Sequence, residues 1–315
     1  MNISILGCGS FALALANIVE NNTKKITLWS KFEEETNKLK PLYKNYNFTT
    51  NYEDTKNSEI IIIAIPIEHL ETTIKEYKEY YNNQTIIIAT KGINDNKLFA
   101  SQIVEKYIKT KKIAVISGPT FAIDLQNKFP SGITLATRNK KTINLTYKAL
   151  KTNYLDIDIT NDIIGVQLCG ATKNIIAILT GILNEINYPE STKALLLSKA
   201  TKEIYNILIQ LKCKKLTIIT YSSIGDMIMT STSLKSRNYT LGTLLGKNNK
   251  EEIKKYLENN TTEGYYTTKN IYMLLKEKNI KSDLINLAYE ILYNNKDITE
   301  LIKYLKTESN KWFCF

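Results

Sequence analysis

Two hydrophobic patterns divide the chain near residue 161. Before this point, short apolar runs alternate with helical stretches, and after it helical periodicity dominates as far as Lys306. Continuous β-branched runs, such as those at residues 60–63 and 86–88, are typical of strands buried on both faces of a parallel sheet. We predict an α/β domain with a doubly wound, mostly parallel sheet over residues 1–161, followed by an all-α domain over residues 162–315.

The same pattern predicts the individual elements. Strands are expected at residues 3–6, 26–29, 59–65, 85–90, 113–117 and 132–137, and residues 154–160 are a further candidate. Long helices are expected at residues 162–187 and 190–211, followed by several shorter ones. Asn161 or Asp162 is suited to cap the first long helix, because its side chain can accept a hydrogen bond from a backbone N–H of the first turn.

A glycine-rich turn follows the first predicted strand. Gly7, Gly9 and Ala12 form Gly-x-Gly-x-x-Ala between a strand and a helix of small residues. This is the dinucleotide-binding fingerprint in its alanine-ended form: the first glycine permits a tight turn, and the second lets the backbone approach the pyrophosphate. An ordinary glycine-rich turn is the alternative interpretation.

The end of the second predicted strand bears on the choice of cofactor. NAD-specific sites often place Asp or Glu there, where it bonds the ribose 2′-hydroxyl. This chain has Ser30 and Lys31 instead. A hydroxyl and a cation suit a 2′-phosphate better, so the sequence favours NADPH, with NAD left open.

A single lysine interrupts the most apolar helical stretch of the chain. Lys173 lies in a segment beginning at Asp162 that is apolar nearly all round, which indicates a buried helix. Burial disfavours the charged form of an amine and lowers its pKa, which would suit it to proton transfer near neutral pH. The alternative is a lysine that extends from a half-buried helix to solvent.

Composition narrows the function classes. The net charge is +11, but the lysines are dispersed among acidic residues without a basic stripe, so we do not expect a nucleic-acid partner. Four cysteines without Cys-x-x-Cys spacing favour a reducing cytoplasm and argue against zinc or a disulfide framework. No apolar run is predicted to span a membrane, and no signal peptide is expected. The sole histidine, His69, is interpreted as a surface or loop residue.

Three further segments contain residues that could bind or act on a ligand. We expect them to face a cleft between the two halves, at the carboxyl ends of the strands. Lys91 ends one predicted strand beside a glycine, and residues 117–122 (SGPTFA) end another. Residues 224–238 bring a carboxylate, hydroxyls, an amide and a guanidinium close together. Arg237 is one of only two arginines, and its planar fork can bind a phosphate in a way that lysine cannot copy.

Together these motifs resemble the biosynthetic NAD(P)-dependent glycerol-3-phosphate dehydrogenases. The resemblance rests on GCGSF at residues 7–11, TKG at 90–92, SGPTFA at 117–122, DIIGVQLCGATKN at 162–174, GD at 225–226, SRN at 236–238 and EG at 263–264. It implies a Rossmann domain followed by a helical domain, a cytoplasmic homodimer, and reversible reduction of dihydroxyacetone phosphate by NADH or NADPH to supply glycerophospholipid synthesis.

The resemblance also implies residue roles. Lys173 would give and take the proton on the C2 oxygen, Lys91 would hold the same region, and Asp226 would orient Lys173 or bond a substrate hydroxyl. Asn174 and Thr230 would be neighbours of this group. The substrate residues would be Lys91, Gly118, Thr120, Lys173, Asp226, Ser236, Arg237 and Asn238, with the phosphate on Arg237 and Asn238. The cofactor residues would be Gly7, Gly9, Ser10, Phe11, Ala12, Lys31, Lys91, Ala122, Arg237 and Glu263.

Two other functions stay open on the sequence. One is a related two-domain reductase of another small anionic carbonyl compound, such as a ketopantoate or hydroxyacyl reductase. The other is a non-catalytic NAD(P)-binding sensor. A shortened loop after Lys40 and the apolar C-terminal residues 312–315 depart from the family pattern.

Overall fold

The computed structural model describes residues 1–307, so the apolar residues 312–315 lie outside the described part. The chain forms two compact units. The first comprises Met1–Asn94, Leu98–Gln167 and Thr220–Ser222, and the second comprises Asp95–Lys97, Leu168–Ile219 and the residues from Ser223 onward. The domain boundary at residue 161, which was drawn from the change in hydrophobic pattern, stays a prediction.

The first unit is built on one eight-stranded sheet. Its strands are β1 (Asn2–Leu6), β2 (Lys25–Trp29), β3 (Asn47–Thr49), β4 (Ile60–Ile63), β5 (Thr85–Ile88), β6 (Ile113–Ser117), β7 (Ser131–Ala136) and β8 (Leu155–Thr160). Their order is β3-β2-β1-β4-β5-β6-β7-β8. Neighbouring strands run parallel except β6 and β7, which are antiparallel. The predicted doubly wound, mostly parallel sheet is confirmed.

Side-chain alternation explains why both faces of this sheet are apolar. Ile60 and Ile62 pack into the hydrophobic cluster on one face, and Ile61 and Ile63 pack into the cluster on the other. All four are fully buried. Because successive side chains of a strand point to opposite faces, an uninterrupted isoleucine run fits a strand covered on both sides.

Helices of the first unit cover the sheet. They are α1 (Ser10–Val19), α2 (Glu33–Leu39), α3 (Ile67–Tyr77), α4 (Ala100–Tyr107), α5 (Ala122–Gln126) and α6 (Lys140–Leu150). His69 lies exposed on α3, as expected for a surface residue. Strand β3 was not predicted, because its three residues are too few to show a period. The strands predicted at 59–65 and 85–90 end two residues earlier, at Ile63 and Ile88.

The second unit is helical. Its helices are α7 (Ile163–Glu185), whose first turn belongs to the first unit, α8 (Glu190–Gln210), α9 (Asp226–Ser231), α10 (Arg237–Gly246), α11 (Lys250–Asn259), α12 (Glu263–Glu277), α13 (Asp283–Tyr293) and α14 (Thr299–Lys306). Asp162 caps α7 as predicted, since its Oδ1 accepts a hydrogen bond from the N–H of Gly165 at 3.0 Å.

Helix α7 is long and apolar enough to cross a membrane, and it is the one such helix among residues 1–307. Its most apolar window is 94% buried inside the protein. Length and composition alone are therefore weak evidence for a membrane span here, because the core helix of a globular protein has the same properties.

Two glycines let α7 and α10 touch along their backbones. A Cβ built on Gly242 would lie 2.0 Å from the carbonyl oxygen of Ile178, and one built on Gly181 would lie 2.1 Å from that of Tyr239. Real side chains do not approach a backbone oxygen so closely. The spacing of these helices is thus set by the absence of side chains at the crossing.

We expect Gly242→Ala to lower the free energy of unfolding by about 1–3 kcal/mol. The added methyl group overpacks the crossing, and this outweighs the higher helix propensity of alanine. Urea unfolding followed by circular dichroism measures the change, with Thr243→Ala on the same helix as the control. Equal stability of Gly242→Ala and the wild type would show that the helices separate without cost.

Candidate active site

The first candidate region is the turn after β1, where the strand order reverses. The chain proceeds from β1 to β2 and β3 on one side and then crosses to β4 on the other, and such switch points are where doubly wound sheets bind ligands. Gly7 has φ of +124°, and a Cβ there would lie 2.5 Å from the carbonyl oxygen of Ala64. Only glycine fits this turn.

The second glycine of the fingerprint meets a different environment. Gly9 has an ordinary φ of −66°, and a Cβ built on it would meet no described atom within 4 Å beyond its chain neighbours. The protein's own packing therefore does not require glycine here. Gly9 precedes the ten-residue helix α1, whose N-terminus has no side-chain cap. Open space beside uncapped helical N–H groups fits a pyrophosphate.

The rest of the fingerprint has the burial that its roles need. Ala12 is fully buried where α1 packs on the sheet, whereas Ser10 is exposed and Phe11 is half-buried. Ala122, which is also half-buried, begins helix α5 of the same unit. These residues of the first unit therefore fit the dinucleotide that the sequence predicts.

Further predicted residues lie where β5 and β6 end, at the same edge of the sheet. Lys91 is half-buried and precedes Gly92, whose φ is +98°. The turn is tied to β4, because the Thr90 hydroxyl donates a hydrogen bond to the carbonyl oxygen of Ile65 at 2.8 Å. After β6, the Thr120 hydroxyl donates to the carbonyl oxygen of Gly118 at 3.3 Å.

Close to the end of β2 lies Glu35, a residue that the sequence did not suggest for the site. The Ser30 hydroxyl donates a hydrogen bond to the carboxylate of Glu35 on α2. The side chain of Lys31, expected to meet the cofactor, lies 3.6 Å from Glu76 in an exposed ion pair. Dinucleotide-binding domains often have an acidic residue roughly 20 positions after the glycines, and this rule could have pointed to Glu35. Glu35 lies six residues beyond the end of β2, however, rather than at the strand end.

The second unit holds the buried lysine and its partner. The Nζ atom of Lys173 donates to Oδ1 of Asp226 at 2.5 Å, and the two side chains are 8% and 0% exposed. Lys173 is therefore buried rather than extended to solvent. Burial, on which the sequence-based prediction rests, disfavours the charged amine. The adjacent carboxylate acts in the opposite direction and favours it.

A threonine completes this group. The hydroxyl of Thr230 accepts a hydrogen bond from Lys173 Nζ at 2.9 Å and lies 3.3 Å from Asp226 Oδ1. Asp226 and Thr230 are four residues apart on α9, so they share one face of the helix. A π-helical turn, Tyr221–Gly225, leads into α9. Such turns are rare and are frequently found at functional sites.

A second cluster surrounds the start of α12. Asn238 accepts a hydrogen bond from the N–H of Gly264 at 2.9 Å, and Asn174 donates one to Glu263 at 3.3 Å. A Cβ on Gly264 would lie 2.6 Å from the Asn238 oxygen, so packing requires glycine at position 264. Asn174 follows Lys173 directly, which joins the two clusters.

The predicted phosphate residues begin helix α10. Ser236 caps the helix by accepting a hydrogen bond from the N–H of Tyr239 at 3.2 Å. Ser236 and Asn238 are buried, whereas Arg237 between them is exposed. The hydroxyl of Tyr256 donates to the carbonyl oxygen of Arg237 at 3.1 Å, which steadies this turn.

In the second unit, hydrogen bonds link Lys173 to Asp226 and Thr230, Asn174 to Glu263, and Asn238 to Gly264. The roles assigned to them, including cofactor contacts for Arg237 and Glu263, stay predictions. Across residues 1–307, no group of three or more His, Cys, Asp or Glu side chains is placed to hold a metal ion.

Comparison with known proteins identifies related chains. The family model for the NAD-dependent glycerol-3-phosphate dehydrogenase N-terminus matches residues 2–143, and the model for the C-terminus matches residues 162–303. The NAD(P)+ glycerol-3-phosphate dehydrogenase of Staphylococcus aureus (strain USA300 / TCH1516) is 31% identical, with 98% of each chain covered.

Solved structures agree with these matches. A glycerol-3-phosphate dehydrogenase from Coxiella burnetii superimposes with a TM-score of 0.90 at 25% identity, covering 98% of this chain and 99% of that one. A glycerol-3-phosphate dehydrogenase from Plasmodium falciparum has a TM-score of 0.88 at 21% identity, covering 98% and 96% of the two chains, and supports the fold alone.

The buried ion pair predicts a coupled effect on stability. We expect Asp226→Asn to lower the free energy of unfolding by about 3 kcal/mol, because a buried charge loses its partner. Removing both charges, in Lys173→Met combined with Asp226→Leu, should cost less than the sum of the single changes. Urea unfolding of the wild type, Lys173→Met, Asp226→Leu and the double variant measures the coupling. Additive effects would show that the two groups do not interact.

Proposed function

The chain belongs to the family of NAD-dependent glycerol-3-phosphate dehydrogenases, and from that membership we propose that it reversibly reduces dihydroxyacetone phosphate to sn-glycerol 3-phosphate with NADH or NADPH. The observation that supports this reaction most directly is the contact of Lys173 with Asp226 and Thr230. A buried ammonium group held by a carboxylate and a hydroxyl is suited to act on a carbonyl oxygen.

The first unit would hold the cofactor. Gly7 and Gly9 would admit the pyrophosphate to the N-terminus of α1, with Ser10, Phe11 and Ala12 beside it. When bound, the cofactor supplies the hydride for the C2 carbon of the substrate. Lys91, at the carboxyl end of β5, would add positive charge near the C2 oxygen.

Lys173 would supply the proton. Reduction of the carbonyl places negative charge on the C2 oxygen, and the ammonium group stabilises that charge before giving up a proton to form the hydroxyl. The Asp226 side chain holds the Nζ atom in position, while Thr230 restricts its movement. In the reverse direction the neutral amine takes the proton back. These roles need no metal ion.

The substrate phosphate would bind at the start of α10. Arg237 offers a planar pair of donors that fits two phosphate oxygens. The Asn238 oxygen is engaged by Gly264, which directs its amide nitrogen to serve as a further donor. Binding of the phosphate, which does not react, would position the carbonyl and so contribute to the rate. Gly118, Thr120 and Ser236 are the remaining substrate residues that we propose.

The alternative functions lack specific support. A non-catalytic sensor of NAD(P) has no use for a buried Lys173–Asp226 pair, which carries a desolvation cost. The Arg237 and Asn238 pair, together with Lys91 and Lys173, favours a small phosphate ester over the substrates of the related reductases. From the family resemblance we also propose a cytoplasmic homodimer that supplies glycerophospholipid synthesis.

The direct test mixes the purified protein with dihydroxyacetone phosphate and NADPH, and then with NADH, and follows the nicotinamide absorbance. We expect oxidation that depends on the phosphate ester. Cofactor binding without oxidation would point to the sensor, and oxidation only with 2-oxo acids or acyl-CoA ketones would point to the other reductase.

We expect Lys173→Ala to fold and to lose at least about 10²-fold in kcat, the usual scale for a removed acid–base group. Lys199→Ala is a matched control, because Lys199 is also buried but donates to the carbonyl oxygens of Tyr304 and Thr307. This control should keep its kcat. Turnover of Lys173→Ala close to that of the wild type would contradict the proton-transfer role.

We expect Arg237→Lys mainly to raise the KM for dihydroxyacetone phosphate, because the ammonium group cannot form the paired contact. Steady-state kinetics at saturating cofactor separate KM from kcat. Arg138→Lys, which changes the other arginine of the chain, is the control. An unchanged KM in Arg237→Lys would remove Arg237 from the phosphate site.

A further inference from the structure

Glu35 lies at the place where a dinucleotide-binding sheet meets the adenine ribose. Strand β2 ends at Trp29 next to β1, and the end of this strand is where ribose contacts are made. Glu35 belongs to α2, the helix that follows β2, and is half-buried. The carboxylate of Glu35 accepts a hydrogen bond from the hydroxyl of Ser30, the first residue after the strand.

The contact is anchored on a rigid part of the sheet. Ser30 is 4% exposed, and its N–H donates to the carbonyl oxygen of Thr49, the last residue of β3, at 3.1 Å. Its hydroxyl oxygen also accepts a hydrogen bond from the N–H of Phe32 at 3.2 Å. Because Ser30 is fixed on both sides, the carboxylate of Glu35 is held at the strand end.

The glycine-rich turn lies close to the same carboxylate. Cys8 stands between Gly7 and Gly9, and burial, with a smaller contribution from the negative charge of Glu35, raises the pKa of its thiol to about 12. Glu35 is thus close enough to act electrostatically on a side chain within the fingerprint. A ribose bound at the end of β2 would come within reach of Glu35, because its carboxylate is hydrogen-bonded to Ser30 there.

The nearby lysine does not cancel this charge. The Nζ atom of Lys31 lies 3.6 Å from Oε1 of Glu76, and the two side chains are 59% and 45% exposed. Glu76 therefore already offsets part of the Lys31 charge. Because the Lys31 side chain is exposed, water also weakens its interaction with a bound ligand. Glu35, in contrast, is half-buried, where screening by solvent is weaker.

We propose that Glu35 is a specificity-determining residue that makes the protein prefer NADH to NADPH. Its carboxylate accepts hydrogen bonds from the ribose hydroxyls of NADH and repels the 2′-phosphate of NADPH. The inference rests on the proposed function only for the binding of a nicotinamide dinucleotide at the glycine-rich turn. It reverses the preference that Ser30 and Lys31 suggest from the sequence alone.

The chemistry of the two ligands decides between them. A ribose with free 2′- and 3′-hydroxyls brings donors, which a carboxylate accepts. A 2′-phosphate brings negative charge and acceptor oxygens at neutral pH. It would also compete for the Ser30 hydroxyl, which already donates to Glu35. Like charges brought together at a binding site act against the wrong ligand.

The test measures dissociation constants of NADH and NADPH from nicotinamide fluorescence, for the wild type and for Glu35→Gln. We expect the wild type to bind NADH at least about tenfold more tightly, and Glu35→Gln to reduce that ratio by about tenfold. Glu34→Gln is the matched control, because Glu34 is an exposed neighbour on the same helix, and should leave the ratio unchanged.

Three results would overturn the inference: tighter or equal binding of NADPH by the wild type, a ratio that Glu35→Gln leaves unchanged, or binding of neither nucleotide. If Glu35→Gln fails to fold, the wild-type measurement can still overturn the inference, and Glu35→Ala then replaces Glu35→Gln as the test of the residue. Because the readout is binding, it is independent of turnover. A protein that shows the expected ratios but does not reduce dihydroxyacetone phosphate would contradict the proposed reaction and keep the role of Glu35.

Discussion

The buried contact between Lys173 and Asp226 is the interaction on which the second unit depends. Two charges are removed from water inside this unit, and that costs several kcal/mol unless each is paired and hydrogen-bonded. Thr230 supplies the additional hydrogen bond. Replacing a buried pair by apolar side chains often leaves stability unchanged or raises it, so packing alone does not explain the pair. The proton-transferring role that we propose for Lys173 gives a reason for it.

The glycines show the same difference between packing and function. Gly181 and Gly242 lie where backbones touch, and Gly7 occupies a turn that a Cβ would block, so the fold itself requires them. Gly9 is different, because a side chain there would meet open space. A glycine without a packing reason, placed before an uncapped helix, is best explained by a ligand. The structure therefore separates the glycines that packing requires from Gly9, which we propose admits a cofactor.

Most of the fold could be predicted because its signals are local. The isoleucine run at Ile60–Ile63, the glycine-rich turn and the cap at Asp162 each occupy a few neighbouring residues. Strand β3 escaped prediction because three residues carry no period. Lys173 and Asp226 are 53 residues apart in the sequence, so no local pattern links them. Their association could be predicted only from the family resemblance.

The cofactor side illustrates why counting charges along the chain misleads. The chain carries a net charge of +11, and Lys31 follows β2 directly, so the sequence suggests a cationic pocket for a phosphate. In the folded unit Lys31 lies beside Glu76, while the turn of α2 brings Glu35 back to Ser30. A half-buried carboxylate next to the strand end has more influence on a bound ribose than several exposed lysines, because solvent screens exposed charges most strongly. The preference for NADH or NADPH at the end of β2 therefore depends on which charged side chain the fold places there.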